Sequence, residues 1–135
     1  MGKKERAKLY MDYLTAEGYR PYIDEDGDVV FKSEGLTYYI TIDANDEEYF
    51  RLVLPNFWRI ESGEELAAAL YAANHATMTT KVAKVYVRSD GKDTMAAIEM
   101  FVKPPENFKF IFNRAMSALK TAVNDFVSIM REITK

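Results

Sequence analysis

Cysteine is absent from the 135-residue sequence. Its absence excludes a disulfide framework, a thiolate nucleophile and a metal site with cysteine ligands, and it is compatible with a reducing cytoplasm. No apolar run approaches the roughly 20 residues of a membrane span, and the first residues enter a charged helical pattern without the apolar core of a signal peptide. An excess of basic residues is also missing, because 18 Lys and Arg stand against 21 Asp and Glu, a formal charge of −3 that argues against nucleic acid. These absences predict a soluble cytoplasmic protein that binds neither membrane nor nucleic acid.

Length and composition predict a single domain over residues 1–135. A chain of this size buries roughly two-thirds of the surface that its unfolded state exposes. The 48% hydrophobic content, with nine Tyr, eight Phe and seven Met, is sufficient for a real core. No repeat with a period of roughly 20 to 50 residues, low-complexity tract or linker interrupts the sequence, so no second domain is expected.

The clearest pattern runs from Phe108 to Ile133. Its apolar residues follow one another in steps of three and four, the spacing that aligns side chains along one face of an α-helix. A helix of this length spans roughly 40 Å, and one so amphipathic requires a flat apolar surface to pack on. The preceding sequence supplies strands, so we expect this helix to cover a sheet.

The rest of the chain predicts an α+β fold with an antiparallel sheet in the order α-β(3-4)-α-β2-α, closed by the long C-terminal helix. Asp-Gly pairs at Asp26-Gly27 and Asp90-Gly91 are typical of tight hairpin turns. Ser62 and Glu65 form a capping box at the start of an alanine-rich helix. The predicted elements are a helix at 3–17, strands at 19–23, 29–33, 36–42 and 48–54, a helix from 62 to about 76, hairpin strands at 80–88 and 93–103, and a helix at 108–133.

The acidic segment that begins at Asp24 is a candidate metal site. A helix–loop–helix calcium loop starting there would need glycine at its sixth position and glutamate at its twelfth, but those positions are Val29 and Gly35. The Asp26-Gly27 pair favours a hairpin turn instead. We therefore predict a turn and no metal site.

His75 and Glu99 are the remaining candidates for chemistry. His75 is the only histidine, and the positions one helical turn away carry no partner for catalysis or metal binding; near a helix C-terminus it is favourable to the helix dipole. Glu99 lies on a predicted strand, where burial would shift its pKa, although outer strand faces routinely carry lone acids. No nucleophile elbow, phosphate-binding loop or Asp/Glu–His cluster is present. The sequence therefore predicts no enzyme, no catalytic residue and no cofactor.

The connection between the first sheet segment and the second helix holds the only tryptophan. Phe57 and Trp58 of this connection either plug the open end of the core or form a patch that faces a partner. The plug is favoured, because large aromatic side chains are less often exposed. The patch interpretation remains open.

Several segments together resemble the YbjN domain family, whose fold is similar to that of the class I chaperones of bacterial type III secretion. The resemblance covers nearly the whole chain, but its positions support the fold and include no catalytic signature. It implies a small acidic α/β homodimer, in a family some of whose members are described as sensory transduction regulators. The segments that carry it are Gly-Tyr at 18–19, Val-Val-Phe-Lys at 29–32, Leu-Pro-Asn-Phe-Trp at 54–58, Ala-Ala-Asn at 72–74 and Lys-Val-Ala-Lys-Val-Tyr-Val at 81–87.

The first functional hypothesis is a non-enzymatic module, chaperone-like or regulatory, that binds a segment of a partner protein by apolar contacts or strand addition. The predicted contact residues are Phe57, Trp58, Leu66 and Leu70, and a homodimer is expected. The alternative is a sensory domain that binds a small ligand in a pocket between the sheet and the C-terminal helix.

Overall fold

The computed structural model describes residues 1–134 and contains one six-stranded antiparallel sheet with three α-helices on one of its faces. This arrangement confirms the predicted α+β class, the order of the elements and the long C-terminal helix on the sheet. The elements are α1 (Lys3–Ala16), β1 (Tyr22–Ile23), β2 (Val29–Ser33), β3 (Leu36–Thr41), β4 (Tyr49–Pro55), α2 (Gly63–Thr79), β5 (Ala83–Val87), β6 (Thr94–Phe101), a 3-10 helix (Pro105–Phe110) and α3 (Phe112–Ile133).

The strands lie in the order β1-β2-β3-β4-β6-β5, and each neighbouring pair is antiparallel. The first four form the predicted meander, with Gly27 at a φ of +83° in the turn between β1 and β2. The predicted second hairpin joins the meander through β6, which pairs with β4 from Tyr49 opposite Phe101 to Pro55 opposite Met95. Strand β5 is therefore one edge of the sheet and β1 is the other.

One face of the sheet carries the hydrophobic core. Alternation along β4 turns Phe50, Leu52 and Leu54 to this face, where each is at most 2% exposed. All three helices pack there. The small side chains of α2 let it approach α3 and β5 closely, so the alanine-rich composition serves a contact within the chain. The buried alanines of α2 are Ala68, Ala69, Ala72, Ala73 and Ala76.

The last helix begins later than its apolar spacing predicts. Residues 105–110 form a 3-10 helix, and α-helical geometry starts at Phe112 rather than at Phe108. In this position the Phe108 ring lies edge-on to Tyr10 and Tyr13, at 4.8 and 4.9 Å between centroids. The 22 residues of α3 span about 33 Å. Within residues 1–134, no helix has the length and apolarity that crossing a membrane requires.

A buried arginine ties α1 to the loop between β3 and β4. Arg6 is 0% exposed, and its guanidinium donates to the carbonyl oxygens of Asp43 and Asp46, the latter at 3.0 Å. Its Nε is the one buried side-chain nitrogen or oxygen of the described chain without a hydrogen-bond partner. These two hydrogen bonds hold the β3–β4 loop against α1. Sequence pattern gives no sign of this contact, because the partners are backbone atoms about 40 residues away.

Both edges of the sheet are poorly suited to strand addition. At one edge only Tyr22–Ile23 pairs with β2, a shorter strand than predicted, and the Tyr19 ring packs against Phe31 at 5.1 Å between centroids. At the other edge, the Thr77 hydroxyl of α2 donates to the carbonyl of Val85 at 3.1 Å and accepts from its amide at 2.9 Å. These bonds occupy the outward backbone groups at the centre of β5. An added strand would have to displace them.

Replacing Thr77 by valine keeps the side-chain shape and removes both hydrogen bonds to β5. We expect the free energy of unfolding to fall by about 1–2 kcal/mol, measured by urea denaturation followed by circular dichroism. Thr79→Val is the matched control, because the exposed Thr79 hydroxyl bonds to the His75 carbonyl of its own helix at 2.9 Å and contacts Asp125 of α3 only at 3.4 Å; its effect should stay within about 0.5 kcal/mol. Equal losses in the two variants would contradict the role assigned to Thr77.

Candidate functional site

Phe57 and Trp58 lie half-buried over α3. Their rings meet Phe126 edge-on, at 5.1 and 6.1 Å between centroids. The Trp58 amide donates to the buried Thr94 hydroxyl, which donates to the Trp58 carbonyl, both at 2.9 Å. The indole nitrogen donates to Oε1 of Glu65, also at 2.9 Å. These contacts favour the plug interpretation, in which the loop closes one end of the core.

The start of α2 follows the predicted capping box in part. The Ser62 hydroxyl caps the helix by accepting a hydrogen bond from the Glu65 amide at 3.1 Å. The Glu65 carboxylate, which was expected to turn back toward the cap, binds the Trp58 indole instead. Leu66 follows directly and packs half-buried against the core. Three of the four predicted contact residues, Phe57, Trp58 and Leu66, therefore pack against the core around the start of α2.

Leu70 is different, because it lies on the outer face of α2. It is 54% exposed, and Tyr71 and Met78 beside it are 60% and 70% exposed. The His75 ring stacks on Tyr71 with 6.4 Å between centroids. Tyr71, His75 and Met78 follow one another in steps of four and three and so share one line along the helix, and Leu70 lies next to this line, on the side away from the sheet. We call Leu70, Tyr71 and Met78 the α2 stripe.

An apolar groove of about 540 Å³ separates the first half of α3 from the start of β5 and the end of β6. Its apolar wall is formed by Val82, Met100, Ile111, Ala115 and Ala118, and its polar wall by Lys81, Asn113, Arg114 and Ser117. Val82 has a φ of +53°, a conformation that β-branched residues rarely adopt and that concentrates at functional sites. Its side chain is 54% exposed at the groove. The groove thus combines an apolar wall with polar side chains at its border, and one of its residues, Val82, has a strained backbone conformation.

Glu99 lies on the face of the sheet opposite the core, where three neighbours hold its carboxylate. Lys84 Nζ is 3.0 Å and Arg51 Nε 3.9 Å from the carboxylate, and the Tyr49 hydroxyl donates to it. Burial alone would raise the pKa of Glu99, but the bonds from Tyr49 and Lys84 and the two positive charges outweigh it and lower the pKa. Burial and the same bond to Glu99 raise the pKa of Tyr49 to about 12. Glu99 is therefore an ionised, hydrogen-bonded group and is poorly suited to donate a proton.

The acidic segment forms the predicted hairpin turn. Oδ1 of Asp24 accepts hydrogen bonds from the amides of Asp26 and Asp28, each at 3.0 Å, and Oδ1 of Asp28 accepts one from Ile42 at 2.8 Å. Carboxylate oxygens of these three aspartates lie within 4.8 Å of one another, but two of the three carboxylates already bind backbone amides. Lys3 adds a positive charge 3.9 Å from Asp28. The segment thus has a structural role in the turn.

The three candidates for chemistry do not converge. His75 is on α2 next to the β5 edge, the acidic turn joins β1 and β2 at the opposite edge, and Glu99 lies on the face away from the helices. A common cleft would require them to meet, and within residues 1–134 they do not.

Sequence analysis proposed a pocket between the sheet and the C-terminal helix without naming the residues that line it, and it gave only one member of the α2 stripe. Ile111 and Ala115 belong to the apolar periodicity of residues 108–133, which does not distinguish a covered side chain from an uncovered one. Leu70 was predicted, whereas Tyr71 and Met78 were not. Exposure depends on which neighbours are present, and periodicity contains no such information.

Stability should depend on pH through Glu99. Because its pKa is lower in the folded protein than the ordinary 4.5, its contribution is complete above about pH 4.5 and is lost as the pH falls through the folded value. We expect Glu99→Gln to lower the free energy of unfolding by about 1 kcal/mol at pH 7, after allowance for solvent screening. Urea unfolding at pH 7 and near pH 3 should show the two proteins converging in acid. A constant difference, or the same behaviour in the exposed control Glu61→Gln, would refute this assignment.

Comparison by sequence identifies no relative, since neither a protein-family model nor a curated protein matches the chain. Comparison of structures gives clear matches. YbjN from E. coli, a proposed transcription regulator, superposes with a TM-score of 0.65 at 7% identity, over 86% of this chain and 87% of YbjN.

Two further matches involve chaperones. The Yersinia pestis type III secretion chaperone SycH, in complex with a stable fragment of YscM2, matches with a TM-score of 0.56 at 12% identity, over 92% of this chain and 98% of that one. The HopA1–SchA chaperone–effector complex matches with a TM-score of 0.55 at 12% identity, over 95% and 94%. At these identities the likeness establishes the fold. This chain therefore has the fold of YbjN and of the type III secretion chaperones, as the sequence resemblance predicted.

Proposed function

We propose that this protein is a non-enzymatic module that binds a segment of a partner protein in the groove between α3 and the end of the sheet. The open apolar wall of Val82, Met100 and Ile111 is the observation that carries the proposal, because apolar surface rimmed by polar side chains is typical of interaction sites. The shared fold with chaperones in complex with other proteins supports it. The cysteine-free composition favours the cytoplasm as the compartment.

Binding in the groove would rest on side chains rather than on strand addition. Thr77 occupies the outward groups of Val85, and β1 is only two residues long. Apolar side chains of the partner segment would pack on the groove wall. Lys81 and Arg114 beside it would bind acidic or carbonyl groups of the same segment.

The groove is tested with Ala118→Glu, which introduces a charge into its wall at a half-buried position of α3. The control is Ser128→Glu, which introduces the same charge on the exposed side of the same helix. The tagged proteins are purified from lysate under native conditions, and mass spectrometry identifies what co-purifies. We expect one protein to be captured by the wild type and by Ser128→Glu, and at least tenfold less of it by Ala118→Glu.

Circular dichroism of both variants establishes that they remain folded. Equal capture by all three proteins would show that the groove is not the binding site. A small molecule retained by the wild type and lost by Ala118→Glu, seen in native mass spectrometry, would establish the second candidate function. That candidate has its own support, since the groove borders both the sheet and α3 and its volume of about 540 Å³ lies within the usual range of ligand pockets.

We further propose that the α2 stripe joins two copies of the chain. Leu70, Tyr71 and Met78 form an exposed apolar patch on the outer side of α2, whereas the alanines of this helix already pack inside the molecule. A second copy related by a two-fold axis would place the same patch against itself. Of the predicted contact residues, Leu70 would lie in this interface, and Phe57, Trp58 and Leu66 would contribute only their exposed edges.

Leu70→Glu should convert a dimer to a monomer, because it places a charge in the apolar interface once from each copy. Size-exclusion chromatography with light scattering is the measurement, and we expect the mass to fall from twice the chain mass to once. Thr121→Glu, on the exposed side of α3, should leave the mass unchanged. A wild-type protein that is monomeric at all concentrations would refute the dimer.

A further inference from the structure

We infer that the face of the sheet opposite the helices is a second docking surface, and that its occupant is an acidic amphipathic helix of a partner protein. The inference rests on the proposed function, that the chain binds partner proteins, and adds a surface distinct from the groove. Every helix of the described chain packs on the other face. The side chains of this face therefore meet only one another and whatever binds there.

A continuous row of side chains crosses this face from edge to edge. The strand registers align six residues, one from each strand, and alternation turns them all outward from the core. Val30, Val53 and Ala97 of this row are at most 2% exposed. Val53 and Ala97 form a small apolar cluster with Met95, against which Tyr39 and Tyr86 pack, so a ligand would contact the tyrosine side chains and Lys84 rather than the residues beneath them. The row consists of Tyr22, Val30, Tyr39, Val53, Ala97 and Lys84.

The composition of the face matches that of binding hot spots, in which Tyr and Arg are enriched. Its aromatic side chains include two that are largely exposed, Tyr22 at 56% and Phe101 at 76%. Arg51 is held in place by contacts with Thr41 at 3.1 Å and Tyr86 at 3.3 Å. A preorganised guanidinium among aromatic rings loses little conformational entropy when a partner binds.

The charge of the face selects an acidic occupant. The charged strand residues that alternation places here are Lys32, Arg51 and Lys84 against Glu99, a formal charge of +2 on a chain whose total is −3. The positive charge is thus concentrated where the chain as a whole is negative. A second copy is disfavoured, because its own face would place +2 against +2.

Backbone geometry selects a helix. The interior strands have their amides and carbonyls paired with neighbouring strands, so the face offers side chains and no backbone groups to a ligand. A helix satisfies its own backbone and needs only side-chain contacts. The row crosses five interstrand gaps of about 4.8 Å, or roughly 24 Å, the length of a helix of about 16 residues.

The test uses a phage-displayed library of random 18-residue peptides, selected against the full-length chain. Each selected peptide is synthesised, and its affinity is measured by fluorescence anisotropy for the wild type and for variants that circular dichroism shows to be folded. Lys32→Glu and Phe101→Ser alter the face. Lys4→Glu and Phe110→Ser are matched controls elsewhere, Phe110 being 73% exposed.

We expect a major group of net acidic peptides with apolar residues in steps of three and four. Their affinity should fall at least tenfold with Lys32→Glu and with Phe101→Ser, change less than twofold with the controls, and weaken as salt rises. Ala118→Glu separates the two proposals. If the selected peptides lose affinity only with Ala118→Glu, they bind in the groove. That result would overturn this inference and leave the proposed function standing.

Three other results would also overturn it. Peptides that depend on the face but are basic or lack helical periodicity would refute the stated chemistry. A change in the oligomeric mass of Phe101→Ser by light scattering would make the face an interface between copies of this chain. A selection that yields no peptide for either surface would refute both proposals.

Discussion

The packing of α3 against the sheet and α2 is the contact on which the rest of the structure depends. Phe112, Leu119, Phe126 and Met130 of this helix are fully buried, and each such side chain contributes about 1.5–3 kcal/mol relative to exposure. Phe112 meets Tyr13, Tyr19 and Phe31 edge-on or tilted, and Phe126 meets the two aromatic residues of the loop before α2. One helix thus connects the N-terminal helix, the meander and the second hairpin.

All three helices lie on one face of the sheet, and this asymmetry creates the surfaces available for binding. The groove lies where β5 and β6 leave part of the apolar side of α3 uncovered. The opposite face exists because nothing in the described chain returns to cover it. That face is kept in order by a polar network around Glu99 and by aromatic side chains that cover Val53 and Ala97. Such a surface is well ordered without a partner, as a preorganised binding surface needs to be.

The edges of the sheet disfavour the addition of a strand from another chain. A long free edge strand invites pairing with another chain, yet here a side-chain hydroxyl from α2 occupies one edge and the other edge is two residues long. The proposed binding therefore relies on side-chain surfaces. Those surfaces are chemically distinct: an apolar groove flanked by Lys and Arg, an apolar stripe on α2, and an aromatic face with a net positive charge.

The sequence by itself determined the local elements. Three- and four-residue spacing identified the last helix, Asp-Gly pairs located two hairpin turns, and Ser62 marked the start of α2, because each signal acts between residues close in sequence. Tertiary structure alone decided the strand order, the 3-10 helix before Phe112, the burial of Arg6 and the binding of Glu65 to the Trp58 indole. It also decided which apolar side chains stay exposed. These features depend on contacts between residues tens of positions apart, and a periodic pattern records the face on which a side chain lies but not what that face meets.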